Sequence, residues 1–116
     1  MLAFECLTVD AADPERLAAF WAQLLGWGIQ REDEEVWISP PGGGPDILFL
    51  ASTDERRGKN RLHLDLRPDD RDAEVAHALA LGAAHVDIGQ TGTETWVVLA
   101  DPEGNEFCIL RALPHV

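Results

Sequence analysis

The chain has 116 residues, 46% of them apolar and 26% charged, which is the usage of one globular domain rather than of a disordered chain. A net charge of −12 argues against nucleic acid as a partner, because neutralising phosphates takes surplus Lys and Arg; it suits a cationic small molecule, and it also serves plain solubility. No apolar run approaches the roughly 18 residues of a membrane span, and Met1-Leu2-Ala3-Phe4-Glu5 shows neither a basic n-region nor a cleavage site, so a cytoplasmic setting without membrane contact is expected.

Phe4 to Asp10 alternates, with Leu7 and Val9 on one face and Cys6, Thr8 and Asp10 on the other, which is the period of a two-faced strand. Asp13-Pro14-Glu15 then opens a helix, with Asp as cap, Pro at the first position and Glu complementing the dipole. Leu17, Phe20, Trp21, Leu24 and Leu25 give it an apolar stripe, and Gly26 ends it. A short strand near Trp27 to Gln30 follows, then strands at Glu35 to Ser39 and Ile47 to Ala51, joined through Pro40-Pro41-Gly42-Gly43-Gly44-Pro45.

The series then repeats. Leu62, Leu64 and Leu66 form one strand face and His63, Asp65 and Arg67 the other; Asp69 or Asp70 caps a helix striped by Val75, Ala78 and Leu79, which Gly82 ends. Strands are expected near Ala84 to Ile88, Thr95 to Leu99 and Glu106 to Leu110, the last entered through the turn Asp101-Pro102-Glu103-Gly104. Cys6 and His63 are 57 positions apart, as are Asp13 and Asp70; Trp37 and Trp96 are 59 apart. This is a duplication: module one at about 3–53, a connector at about 54–60 rich in Arg and Lys, and module two at about 61–112, together forming one domain (1–116). The connector reads as a solvated segment, with an anion-binding rim as the lesser alternative.

Asp13-Pro14-Glu15 leading to Phe20-Trp21 and Leu24-Leu25-Gly26, then Asn60 to Leu66, then Asp101 to Phe107, in this order and spacing, resemble the vicinal oxygen chelate superfamily, the glyoxalase/bleomycin resistance/dioxygenase proteins. The resemblance covers nearly the whole chain. It implies an α+β fold of two βαβββ modules whose mixed sheet curves around a cleft, and a homodimer. It also implies four metal ligands, His or Glu, one from the first and last strand of each module. Carried over, those positions fall on Cys6, on the run Ile47-Leu48-Phe49-Leu50, on His63 and on Cys108, with Glu106 two residues before the last. Only His63 matches. Mg²⁺, Mn²⁺ and Fe²⁺ prefer oxygen and imidazole, so no resident metal is expected, although Cys6, His63 and Cys108 offer a Zn²⁺ set with an open position.

Each candidate has an ordinary reading beside the functional one. Cys6 and Cys108 are expected as free thiols that pack as small hydrophobes. His63 and Asp65 share a face and could form an oriented hydrogen-bonding pair. Trp37 and Trp96, in matching strands, could be core residues or the aromatic walls of a site for a flat or cationic ligand. Trp21 belongs to the helix stripe. The leading expectation is a metal-independent small-molecule-binding protein, a drug- or metabolite-binding resistance factor, with Trp37, His63, Asp65, Trp96, Cys6 and Cys108 against the ligand. The alternative is a lyase or isomerase using Zn²⁺ on Cys6, His63 and Cys108, or metal-free acid–base chemistry at His63, Asp65 or Glu106. A partner-binding module with an empty cleft is the third class.

Overall fold

In the computed structural model, which describes residues 1–53, 62–86 and 95–114, the chain forms two βαβββ series, an α+β architecture. It divides into two units, Met1–Arg56 and Arg57–Val116. The predicted connector at 54–60 lies outside the described residues.

The first unit contains β1 (Cys6–Ala11), α1 (Pro14–Leu25), β2 (Gly28–Glu32), β3 (Glu35–Ser39) and β4 (Asp46–Ala51). Its four-stranded mixed sheet has the order β1-β4-β3-β2, with β1 parallel to β4 and the other pairs antiparallel. The α1 boundaries follow the capping residues. The Asp13 carboxylate accepts from the Arg16 N–H at 3.2 Å, and Gly26 takes φ 72°, while the Trp27 N–H returns to the Ala22 carbonyl. Trp27 thus lies between the helix and β2. Leu17, Phe20, Trp21 and Leu24 are buried as the stripe predicts, and Ala18 and Ala22 join them where Leu25 stays half-buried. Phe20 and Trp21 meet edge to face, with ring centroids 5.3 Å apart. Beneath them lie Val36, Ile38, Ile47 and Phe49. At the rim, the Arg31 Nε–H donates to both Glu15 oxygens, at 2.7 and 2.9 Å. That hydrogen bond, with the carboxylate's charge, raises the guanidinium pKa above its ordinary value. The β2–β3 turn holds Asp33 at φ 55°, a left-handed conformation that Asp tolerates better than most residues.

The second unit contains β5 (Leu64–Leu66), α2 (Arg71–Leu81), β6 (Ala84–His85), β7 (Val97–Ala100) and β8 (Glu106–Ile109). Its sheet repeats the order, β5-β8-β7-β6, with β5 parallel to β8. Asp70 is the cap, accepting from the Ala73 N–H at 3.1 Å. Here the stripe is thin. Ala78 is buried, whereas Val75 and Leu79 are only half-buried. Phe107, Ile109, Leu99 and Val98 supply the buried sheet residues.

Three strands start two residues later than the sequence expectation. β1 begins at Cys6, not Phe4, because its partner begins opposite at Asp46, just after Pro45, which has no N–H to donate. β5 begins at Leu64; its pairing with β8 starts at Phe107, so Leu62 is left 81% exposed rather than in the strand face. β7 begins at Val97, leaving Trp96 just ahead of the strand and 41% exposed. β6 ends at His85, and the remainder of the strand expected up to Ile88 reaches beyond the described residues. No helix among the described residues is long and apolar enough to cross a membrane.

The turn into β8 is built on one carboxylate. Asp101 is 4% exposed, and its Oδ1 accepts from the N–H groups of Glu103 and Asn105, both at 2.9 Å. The Asn105 side-chain amide donates to both oxygens, and the Gly104 N–H, at φ 87°, donates to the Asp101 carbonyl at 2.8 Å. Asp101→Ala orphans the Glu103 and Asn105 N–H groups and the Asn105 side-chain amide and is expected to cost about 1–3 kcal/mol, with Asp101→Asn recovering part of it; urea unfolding measures both, and an unchanged midpoint would refute the role. Phe49, 0% exposed, is expected to cost about 3–5 kcal/mol as Phe49→Ala by the same measurement.

Candidate functional site

Strand pairing decides which side chains share a face, because residues opposite one another point the same way. In the first unit the helix-covered face carries Leu7, Val9, Ile47, Phe49, Val36 and Ile38. The open face carries the row Thr8, Leu48, Trp37 and Gln30, flanked by Cys6 and Asp46 on one side and Asp10 and Leu50 on the other. Trp37 is held in place there, its Nε1–H donating to Gln30 Oε1 at 3.0 Å. Cys6 is half-buried, with its Sγ 3.8 Å from Thr8 Oγ1.

In the second unit the open-face row is Asp65, Cys108 and Val98, with His63 two residues before Asp65 and Glu106 two before Cys108. His63 Nε2 lies 3.2 Å from Asp65 Oδ1, both side chains being about half exposed, so the expected pair forms. The ligand atoms of His63, Asp65 and Cys108 all lie within 4.8 Å of one another. Arg67, on the same alternation, is drawn aside, its guanidinium donating to the Arg111 carbonyl. Cys6 and Cys108 are not joined in a disulfide.

The registers align the duplication residue by residue. With Cys6 matched to His63 and Thr8 to Asp65, the strand partners match Leu48 to Cys108, and Trp37 to Val98. The fourth ligand position is therefore Leu48. Trp37 and Trp96 are not at equivalent positions: Trp96 corresponds to Glu35, because counting between letters missed a two-residue offset. Two features escaped the sequence reading. Asp46 opens β4 as Glu106 opens β8, a signal visible in the acidic residue before each apolar run. The closeness of Asp65 to Cys108 was invisible, since it depends on parallel register between strands 40 residues apart.

A glyoxalase-like domain model matches residues 6–110. The chain belongs to the glyoxalase-like domain family. No curated protein matches its sequence. Among solved structures this glyoxalase-like domain is similar to a glyoxalase/bleomycin resistance protein/dioxygenase family enzyme from Burkholderia phytofirmans, 23% identical with a TM-score of 0.77 over 97% of this chain and 100% of that one. It is similar to TnmS3, an antibiotic binding protein from a Streptomyces species, 19% identical with a TM-score of 0.67 over 97% and 98%. It is also similar to a mutant of the fosfomycin resistance protein FosX from Listeria monocytogenes, in complex with Mn(II) and a dihydroxypropylphosphonic acid, 13% identical with a TM-score of 0.74 over 97% and 92%. At these identities the likeness is one of fold.

The residues of this glyoxalase-like domain do not fit the metal centre that the family resemblance implies. Its four positions are Cys6, Leu48, His63 and Cys108. A leucine donates nothing, and thiols are poor ligands for Mg²⁺ and Mn²⁺, so that centre has no oxygen donors here. Elemental analysis after equilibration with Mn²⁺ and gel filtration is expected to show less than one tenth of an ion per chain; retention of about one would contradict this account of the donors.

Proposed function

We propose that this glyoxalase-like domain is a small-molecule-binding protein, a drug- or metabolite-binding resistance factor that works without the four-position metal centre of its relatives. Trp37 carries the reading: a half-buried indole, fixed in orientation by Gln30, on an open sheet face beside Leu48, where a ligand of a metal would otherwise stand. Such a ring offers a preorganised surface to a planar ligand. Carboxylates on the open faces (Asp10, Asp46, Asp65 and Glu106) and the net charge of −12 favour a basic one. Further proposed contacts are Cys6 in the first unit and His63, Asp65, Cys108 and Trp96 in the second. Similarity to an antibiotic binding protein and to a fosfomycin resistance protein supports a small-molecule ligand. A homodimer belongs to the same reading, supported by exposed Met1, Leu2, Phe4, Leu62 and Leu113, apolar surface that a second copy could cover.

A second reading, metal-free acid–base catalysis, is favoured by the His63–Asp65 pair, in which a carboxylate orients an imidazole; Glu106 is the other proton-transfer candidate. Turnover abolished by His63→Gln would establish it.

A panel of planar basic antibiotics, titrated with tryptophan fluorescence as the readout, tests the binding reading. At least one compound is expected to quench, and Trp37→Phe to weaken its binding about tenfold, the worth of roughly 1.4 kcal/mol of aromatic contact. A panel that neither quenches fluorescence nor raises the melting temperature would end it.

A further inference from the structure

The resemblance implies a metal held by both modules, and of its four positions only His63 keeps a donor of the expected kind. The second unit nonetheless holds a different set by itself. His63, at the entrance to β5, Asp65 on β5 and Cys108 on β8 bring one imidazole nitrogen, one carboxylate and one sulfur within 4.8 Å of one another. We propose that these three side chains form a site for a thiophilic divalent cation, Zn²⁺ or Co²⁺, that needs neither Cys6 nor any residue of the first unit.

The placement follows from backbone pairing. Asp65 and Cys108 are opposite partners in the parallel β5–β8 ladder, so their side chains leave the same face side by side. His63 precedes Asp65 by two residues and already sits 3.2 Å from its oxygen. A tetrahedral Zn²⁺ with bonds of about 2.0–2.3 Å separates its ligand atoms by about 3.3–3.6 Å. The His63–Asp65 distance is close to that, and the widest separation must close by about an ångström. Half-exposed His63 and Asp65 can do this by turning about their own side-chain bonds, since neither is locked in the core. Val98, buried in the same row beyond Cys108, gives the sulfur an apolar neighbour. Binding transfers the Cys108 thiol proton to solvent and forms a metal–thiolate bond, with a fourth position open to water or ligand.

Sulfur decides the ion. A mixed N, O and S set suits Zn²⁺ and Co²⁺, while Mg²⁺ and Mn²⁺ prefer oxygen. The proposal is independent of organic-ligand binding, and its test contains no organic ligand. Tag-free protein, stripped with chelator and reduced, is titrated with Co²⁺ alone under absorption spectroscopy. Saturation at one ion per chain is expected, with a thiolate-to-cobalt charge-transfer band in the near ultraviolet and the strong visible bands of four-coordinate Co²⁺. Cys108→Ser should abolish the charge-transfer band, and His63→Ala and Asp65→Asn should each weaken binding at least about tenfold. Cys6→Ser should leave both unchanged. One equivalent of Zn²⁺ should bleach the spectrum, whereas excess Mn²⁺ should not. Circular dichroism checks each variant's fold, and the half-exposed His63 and Asp65 carry the test if Cys108→Ser does not fold. Absence of the band, its survival in Cys108→Ser, its loss in Cys6→Ser, or displacement by Mn²⁺ would each overturn the proposal.

Discussion

Everything in each half of the molecule hangs on one parallel pairing, that of its first strand with its last. β1 bonds to β4 and β5 to β8, although a helix and two strands intervene in each case. The Ser52 N–H donates to the Ala11 carbonyl and the Leu110 N–H to the Leu66 carbonyl, so both ladders continue past the strand ends in the same way. A parallel pair cannot be closed by a tight turn and needs a long crossover, which the helix supplies while covering one sheet face. The opposite face is left for chemistry. The pairing thus creates the neighbourhoods in which Thr8 meets Leu48 and Asp65 meets Cys108.

The two halves have spent the same scaffold differently. In the first, the open-face row is Thr8, Leu48, Trp37 and Gln30, broad and mostly unable to donate a metal ligand. In the second, the corresponding row begins Asp65, Cys108 and Val98, with an imidazole alongside. One face is therefore suited to aromatic contact and the other to polar or ionic contact. The fold alone dictates neither, since this scaffold accommodates unrelated chemistries.

Much of this was legible in the letters. Asp13-Pro14 and Gly26 bounded the first helix because capping is local chemistry, settled within one turn of chain. Alternation put Leu7 and Val9 on one face of β1 with Thr8 on the other, and Asp65 on the face opposite Leu64 and Leu66, because a strand's period is intrinsic. His63 beside Asp65 was readable as neighbours two apart on one strand face. Strand ends were less legible, since Phe4, Leu62 and Trp96 fall where a partner strand stops, and a partner's extent is not written in the strand itself. The match of Trp37 with Trp96 failed for a related reason: loops absorb insertions, so spacing in sequence drifts from spacing in register.

The uneven burial of the two helices has a further consequence. α1 buries six side chains, including Leu17, Phe20 and Trp21, whereas α2 buries Ala78 among the described residues. Native proteins open in cooperative segments whose free energies follow their packing, up to the cost of global unfolding. The second half, with its imidazole, carboxylate and thiol, is then expected to open more readily, its amides exchanging with solvent from partly open states that leave the first half intact. Anything bound across those three side chains would close such openings, so occupancy would register as slower exchange throughout α2 and β5, well beyond the atoms it touches.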